Sequence, residues 1–450
     1  MDHFTKALHC ADHLPAAEVS EQRLSLLNDL GALLTTTGQY DRALEHLTQS
    51  RTLALERDDA DAQARACRWL ARLHELRGDY PPALEWIQTG LAALNGRDSA
   101  EGAHMRLIAG LINVRQGNAD LAIEQCQHAL ETAQALGEVT AEARAYNLLG
   151  VIQLRRNSAM AFEYFQHSLD LYQRAGDLPG QATAHNLIAN AHFGLGRWPE
   201  ADGEYRRARD LFHQLGDVYN RSFADNNLGG IALNQGRLDQ ALEFYEQAVR
   251  SFTQIGGSLY VLGVLHSNLG GTLIRRGEIE RAREHLRESQ QYFERSQARD
   301  SLPELHRRFA EAALLSNELA EAQAHCQQAL TLARELSARG EEGMILRVLG
   351  QVAAANGQPA EAEAHLNTSI AILDEVSDDY EGARSRLALA ELYATTGRAA
   401  EATARLAQCE PVFQRLETAL DLNTVRAVRG WLAQLNGFES VSTDTQPING

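Results

Sequence analysis

The sequence predicts an all-α fold, a right-handed superhelical solenoid of about ten helix-turn-helix repeats with capping helices. Three observations carry this. First, a Gly or Ala stands seven residues before a loop Gly or Asn eleven times in succession, from Gly31/Gly38 through Gly229/Gly236 to Gly430/Gly437. Successive loop residues are 39 to 41 apart, the mark of stacked identical units and not of one closed globule. Second, each loop residue is followed by an apolar stripe at helical spacing, as in Ala241, Leu242, Tyr245, Ala248 and Val249. Third, small residues recur at fixed places. Five residues after the loop come Ala43, Ala83, Ala122, Ala201 and their successors, and seven further on come Ser50, Gly90, Ala129 and Ala208.

The elements follow in order. Residues 1–19, containing FTKALHCADHL, read as an N-terminal capping helix. Residues 20–437 read as the continuous solenoid. Within a unit, the landmark Gly or Ala lies on the core face of a first helix. The loop Gly closes the turn, where a positive φ is needed. The second helix places a filler residue (Leu47, Ile87, Cys126, Phe165, Tyr205, Tyr245, Leu286, Cys326, Leu366 or Leu406) against the stack. Second helices often end in a Gly plus an acid, as at Gly137-Glu138, Gly176-Asp177 and Gly216-Asp217. The fourth unit is one residue short in its turn, between Asn157 and Ala161. In the tenth, Pro411 falls inside the second helix and should kink it. A lone final helix around Leu420–Asn436 caps the other end, and residues 438–450 read as a disordered polar tail.

This pattern resembles the tetratricopeptide repeat family over roughly residues 20–437. The common form has a 34-residue unit with a Pro closing the second helix; here the period is about 40 and that Pro is absent. The longer unit looks like LGN/Pins-type scaffolds and the sensor domains of MalT-like regulators. The resemblance implies a superhelix whose first helices line a concave groove for a protein or peptide partner.

Composition limits the function classes. The net charge is −18 and no basic cluster stands out, which disfavours nucleic acid and anionic membrane surfaces as direct partners. Lys6 is the only lysine among 42 cationic residues, so a basic pocket would be built of planar guanidinium forks suited to carboxylates. Cys10, Cys67, Cys126, Cys326 and Cys409 show no CxxC spacing. No stretch has the apolar length of a signal peptide core or a membrane span. A cytoplasmic location is expected, and a homo-oligomer is left open.

Candidate binding residues come from the first helices. The residue three before the landmark should face the groove, giving Asn28, Arg68, Leu107, Asn147, Asn186, Asn226, Ser267, Arg307, Arg347, Leu387 and Ala427. Asn227, Asn268 and Arg308 lie beside it, and Asn190 follows one turn later. The middle of the array is thus rich in Asn and flanked by Arg. An amide offers both donor and acceptor and can pair an extended peptide backbone; flanking Arg can take acidic side chains or a terminal carboxylate. In the family resembled, Asn at matching positions holds peptides, which implies that role for Asn147, Asn186, Asn226, Asn227 and Asn268. Equally, the amides could bond between helices and brace the stack, and the arginines could sit on an ordinary solvated face. Phe193 and Phe223 belong to first helices near this stripe and could form apolar pockets, whereas the other aromatics match core spacing.

Catalysis is not expected. Cys126, Cys326 and Cys409 stand at packing positions, and the paired glycines lack the Lys and strand context of a phosphate loop. His9 and His13 are four apart but lack a third ligand, and His185, His192, His266 and His306 read as packed residues on first helices, so no metal and no cofactor is expected. Two functions remain: a scaffold that holds a peptide or partner segment, and a sensor module in which a ligand shifts the superhelical pitch.

Overall fold

The computed structural model describes residues 16–154 and 158–442. Among the described residues there are twenty-one helices and no strand. They pair as α1 (Ala16–Thr36) with α2 (Tyr40–Glu56), α3 (Ala60–Arg77) with α4 (Tyr80–Ala93), α5 (Ala100–Arg115) with α6 (Ala119–Leu136), and α7 (Val139–Leu154) with α8 (Ser158–Ala175). Next come α9 (Leu178–Gly194) with α10 (Trp198–Gln214), α11 (Val218–Asn234) with α12 (Leu238–Gln254), and α13 (Leu259–Arg276) with α14 (Ile279–Ser296). The last pairs are α15 (Leu302–Leu315) with α16 (Leu319–Glu335), α17 (Arg339–Ala355) with α18 (Pro359–Glu375), and α19 (Asp379–Thr395) with α20 (Ala399–Leu416); α21 (Ala419–Ser442) stands alone. The odd-numbered helices α1 to α19 are the first helices of the ten units. Each packs on its own second helix and on the first helices of neighbouring units.

The small residues work as the spacing implies. A Cβ added at Gly229 would lie 2.8 Å from the Tyr245 ring, at Gly270 2.6 Å from Leu286, and at Gly350 2.7 Å from Leu366. The landmark glycine therefore seats the filler of its own unit, with no room left for a side chain. Gly236 closes its turn at φ 81°, and Asn317 does the same at φ 60°. The Gly-acid pairs are two devices in one. Gly216 takes φ 67° after α10, and Asp217 then caps α11 by accepting the Asn220 backbone N–H at 2.9 Å. Asp177 caps α9 in the same way, from the Gly180 N–H at 2.9 Å.

Three expectations meet the ends of the chain differently. The cap within residues 1–15, the shortened turn at Asn157 and the tail beyond Ser442 lie outside the described residues. The first helix already begins at Ala16, ahead of the expected boundary at 20. At the other end α21 continues past Asn436, so Gly437 is a helical residue instead of a turn. Pro411 does not end α20, which runs on to Leu416.

The stack also closes on itself. Tyr219 of α11 joins the cluster of Tyr40, Leu44 and Leu47 from α2. Arg115 of α5 donates to the Tyr260 hydroxyl of α13 at 2.6 Å, with Asp300 3.6 Å away. Trp198 at the start of α10 meets Tyr380 of α19 edge-on at 4.9 Å. Turn residues interlock likewise: Gly38 packs on Ile255, Gly117 on Leu336 and Gly236 on Leu420. Units four or five apart along the chain are therefore in direct contact, and successive superhelical turns touch.

Candidate functional site

Where an Arg stands three before the landmark, its guanidinium is largely shielded and its partner comes from the next unit. Arg307 of α15 is only 8% exposed. Its Nε lies 2.5 Å from Glu341 of α17, and its Nη1 lies 2.8 Å from Glu311. Arg347 of α17, 2% exposed, pairs with Glu381 of α19. Arg68 of α3 pairs with Glu101 of α5 at 2.5 Å. All three glutamates occupy one repeat position, nine before their landmark. The expected solvated face is thus corrected: a glutamate from the following unit covers each guanidinium, because adjacent first helices run side by side. Burial alone would raise the Glu381 carboxyl, but Arg347 and Arg384 outweigh it and hold that group far below the usual carboxylate range.

The Asn stripe forms a continuous amide network across three first helices. Asn227 Nδ2 donates to Asn186 Oδ1 at 3.2 Å and to Asn190 Oδ1 at 3.3 Å. Asn226 Nδ2 donates to Asn227 Oδ1 at 3.2 Å, and Asn268 Nδ2 donates to Asn226 Oδ1 at 2.8 Å. The Tyr205 hydroxyl donates to Asn190 Oδ1 at 2.7 Å. At the far end, Arg308 Nη2 donates to Asn268 Oδ1 at 2.9 Å and to Glu304 at 2.5 Å, while Nη1 reaches the Ser267 carbonyl. The network therefore links α9, α11, α13 and α15 and braces them.

The same residues wall a cavity of about 980 Å³. Asn190, Asn226, Asn227, Asn268 and Phe193 stand at one end, and Arg307, Arg308 and Arg347 at the other. Apolar walls come from Leu233, Ile274, Leu314 and Met344, with Leu154 reaching across from the fourth unit. Six arginines (Arg275, Arg276, Arg307, Arg308, Arg347, Arg384) face four glutamates (Glu304, Glu311, Glu341, Glu381), an excess of two positive charges in a chain of net charge −18. Arg347 Nη2 is buried with no hydrogen-bond partner among the described residues.

Nine of the eleven sequence-derived candidates come together here. Asn186 sits just behind the wall and is held by Asn227. Phe193 lines the cavity and stacks on Trp198 at 5.8 Å. Two candidates stand apart from it. Asn147 is buried on α7 beside the Tyr172 hydroxyl, and Phe223, half-buried, packs against the apolar cluster of α11 to α15. Spacing from the landmark marks none of Arg275, Arg276, Arg384 and the four glutamates. The glutamates at 341 and 381 carry a signal all the same: this repeat position is Glu only after a unit with Arg three before its landmark. After Asn28, Asn147, Asn186 and Asn226 it holds Ala62, Gly180, Asn220 and Val261.

Ten helix hairpins stacked side by side, with small residues seating fillers and a concave polar cavity, define an α-solenoid of repeated helix pairs. The tetratricopeptide repeat family model matches residues 22–95, 103–174, 151–214, 180–254, 220–295, 301–375 and 341–415. The chain belongs to the tetratricopeptide repeat family. No curated protein matches it. Among solved structures, a Rap protein complexed with Competence and Sporulation Factor is similar at 13% identity and TM-score 0.53, over 84% of this chain and 99% of that one. The Rap conjugation gene regulator of plasmid pLS20 with the Phr* peptide aligns at 13% identity and TM-score 0.48, over 78% and 98%. A STAND signal-transduction ATPase with a tetratricopeptide repeat sensor from Pyrococcus horikoshii aligns at 14% and 0.42, over 74% and 54%. The likeness is one of fold. Among the described residues, no helix is long and apolar enough to cross a membrane.

Proposed function

We propose that this protein is a non-catalytic scaffold that holds an extended peptide or partner segment in the concave cavity. The amide wall at Asn190, Asn226, Asn227 and Asn268 faces the peptide backbone. The arginine end takes an acidic group, either a terminal carboxylate or an Asp or Glu side chain. One observation carries the reading: Arg347 Nη2 is a buried guanidinium nitrogen without a partner among the described residues, in a cavity with two more positive than negative charges. A carboxylate would satisfy it through a charge-assisted hydrogen bond. The acidic surface elsewhere argues against nucleic acid and membranes as direct partners. Four free buried cysteines (Cys67, Cys126, Cys326, Cys409) suit a reducing compartment such as the cytoplasm.

The test is selection from a random peptide library with free carboxyl termini, then fluorescence anisotropy of the enriched peptide. Arg347→Met should weaken it about tenfold or more, the worth of one hydrogen bond to a charged group, with helicity unchanged. Enriched peptides indifferent to both Arg347→Met and Arg384→Met refute the site. A second reading, a sensor, is favoured by the contacts between superhelical turns: a ligand that spreads the first helices would break Arg115–Tyr260 and its counterparts. Small-angle scattering with the enriched peptide separates the two, since a scaffold keeps its radius of gyration and a sensor changes it.

A further inference from the structure

The seventh unit assembles three metal-ligating side chains away from the cavity. On α14, His285 and Glu288 stand three residues apart and so share a face. On α13, which packs against it, His266 meets both. His266 Nδ1 lies 3.1 Å from His285 Nδ1 and 2.6 Å from Glu288 Oε2. One donor atom from each of the three lies within 4.8 Å of the others. None of the three lines the concave cavity.

We propose that His266, His285 and Glu288 bind a divalent transition-metal ion such as Zn²⁺ or Co²⁺. A tetrahedral ion with ligand bonds of about 2.0–2.2 Å holds neighbouring donor atoms about 3.3 Å apart. The His266–His285 separation of 3.1 Å is near that figure, and Glu288, now 2.6 Å from His266 and 54% exposed, has room to swing outward and admit the ion. Two imidazoles with a carboxylate suit zinc, cobalt or nickel and disfavour calcium and magnesium, which prefer oxygen cages. The exposed side of Glu288 leaves the fourth position to water. Glu246 of the preceding unit adds negative potential at His285, and Arg281 opposes it.

The next repeat supplies a comparison within the same chain. His306 and His325 stand at the equivalent positions, with Nδ1 atoms 3.3 Å apart. There the residue equivalent to Glu288 is Gln328. Two neutral rings can share one proton, and Phe309 stacks on His325 at 5.0 Å, so that pair is accounted for without an ion. The seventh unit differs by a third ligand converging on the same point. From sequence His266 reads as a packed residue on a first helix; the hairpin brings it beside His285, 19 residues on, and Glu288.

The experiment is Co²⁺ titration of untagged full-length protein followed by visible absorption, with Zn²⁺ calorimetry in parallel. One equivalent should bind. Glu288→Gln should weaken it by at least about tenfold, no less than the loss of an outer-shell partner, and His285→Ala should abolish it. His325→Ala should leave it unchanged. Circular dichroism checks folding, and the exposed Glu288→Gln keeps the test valid if His285→Ala unfolds. The proposal is overturned by absence of saturable binding, by binding indifferent to Glu288→Gln and His285→Ala, or by binding lost only in His325→Ala.

Discussion

Glu341→Gln probes the pairing of units through buried charge. Arg307 is nine-tenths buried and has carboxylates at 2.5 Å (Glu341), 2.8 Å (Glu311) and 4.0 Å (Glu304). Leaving a buried charge without its partner costs about 3–5 kcal/mol. Glu311 remains, and Gln keeps an acceptor oxygen, so the expected loss is about 2 kcal/mol. Arg307→Met with Glu341→Gln removes both charges of that pair, and Glu311 keeps Arg384 and Arg347 as cationic neighbours; the double variant should regain most of that loss, to within about 1 kcal/mol of wild type, because an uncharged pair carries no desolvation penalty. Urea unfolding followed by circular dichroism measures these two variants and Arg307→Met alone. If the single variant loses less than about 0.5 kcal/mol, or the two changes add without coupling, Arg307 draws nothing from Glu341 and the pairing argument falls.

Other expectations follow from the same contacts. Asn227→Ala removes three amide bonds, to Asn186, Asn190 and Asn226, and should cost about 1–3 kcal/mol in the same unfolding assay; unchanged stability would mean the network does not brace the helices. Gly270→Val drives a side chain into Leu286 and the Ala282 carbonyl and should destabilise by about 2 kcal/mol or more, read as a lower urea midpoint. Leu336→Asp, set against Gly117, should raise the radius of gyration in scattering while helicity holds; an unchanged profile would deny the contact between turns any part in shape. Burial and then the Asp421 charge push the Glu391 carboxyl up to about 7. The folded state therefore holds that proton more tightly than the unfolded one, and stability falls as pH rises from about 4.5 to 7. Glu391→Gln should match wild type near pH 4 and exceed it at pH 8; parallel pH profiles would contradict the assignment.

Much of the fold is legible locally. The helix register, the positive-φ turns at Gly236 and Asn317, and the seating of Tyr245 on Gly229 each depend on residues within one unit. The stripe of Asn186, Asn226, Asn227 and Asn268 was legible as a surface for the same reason. The burial of Arg307 and Arg347 was harder to read, since it depends on what the following unit brings alongside. The coupled appearance of Arg68 with Glu101, Arg307 with Glu341 and Arg347 with Glu381 is visible only when two repeat positions are compared across adjacent units. The contacts of Tyr40 with Tyr219 and of Trp198 with Tyr380 were beyond such comparison, because they depend on small rotations summed over several units. Phe223 shows the limit of spacing alone: its place on a first helix suggested the groove, and a small rotation about the helix axis turns it against the edge of the core.

The interlocking of Gly38 with Ile255, Gly117 with Leu336 and Gly236 with Leu420 has a consequence for the number of units. An open array of repeats can lose or gain one hairpin and change only its length, since each repeat answers to its neighbours alone. Here an inserted or deleted hairpin between these partners would carry each residue one unit out of phase with its mate. Hairpin count is therefore held fixed as the tooth count of a gear is, and unfolding at one end is felt five units away. Trimming this protein from α21 should end in abrupt collapse once Gly236 loses Leu420, instead of a stepwise decline in stability with length.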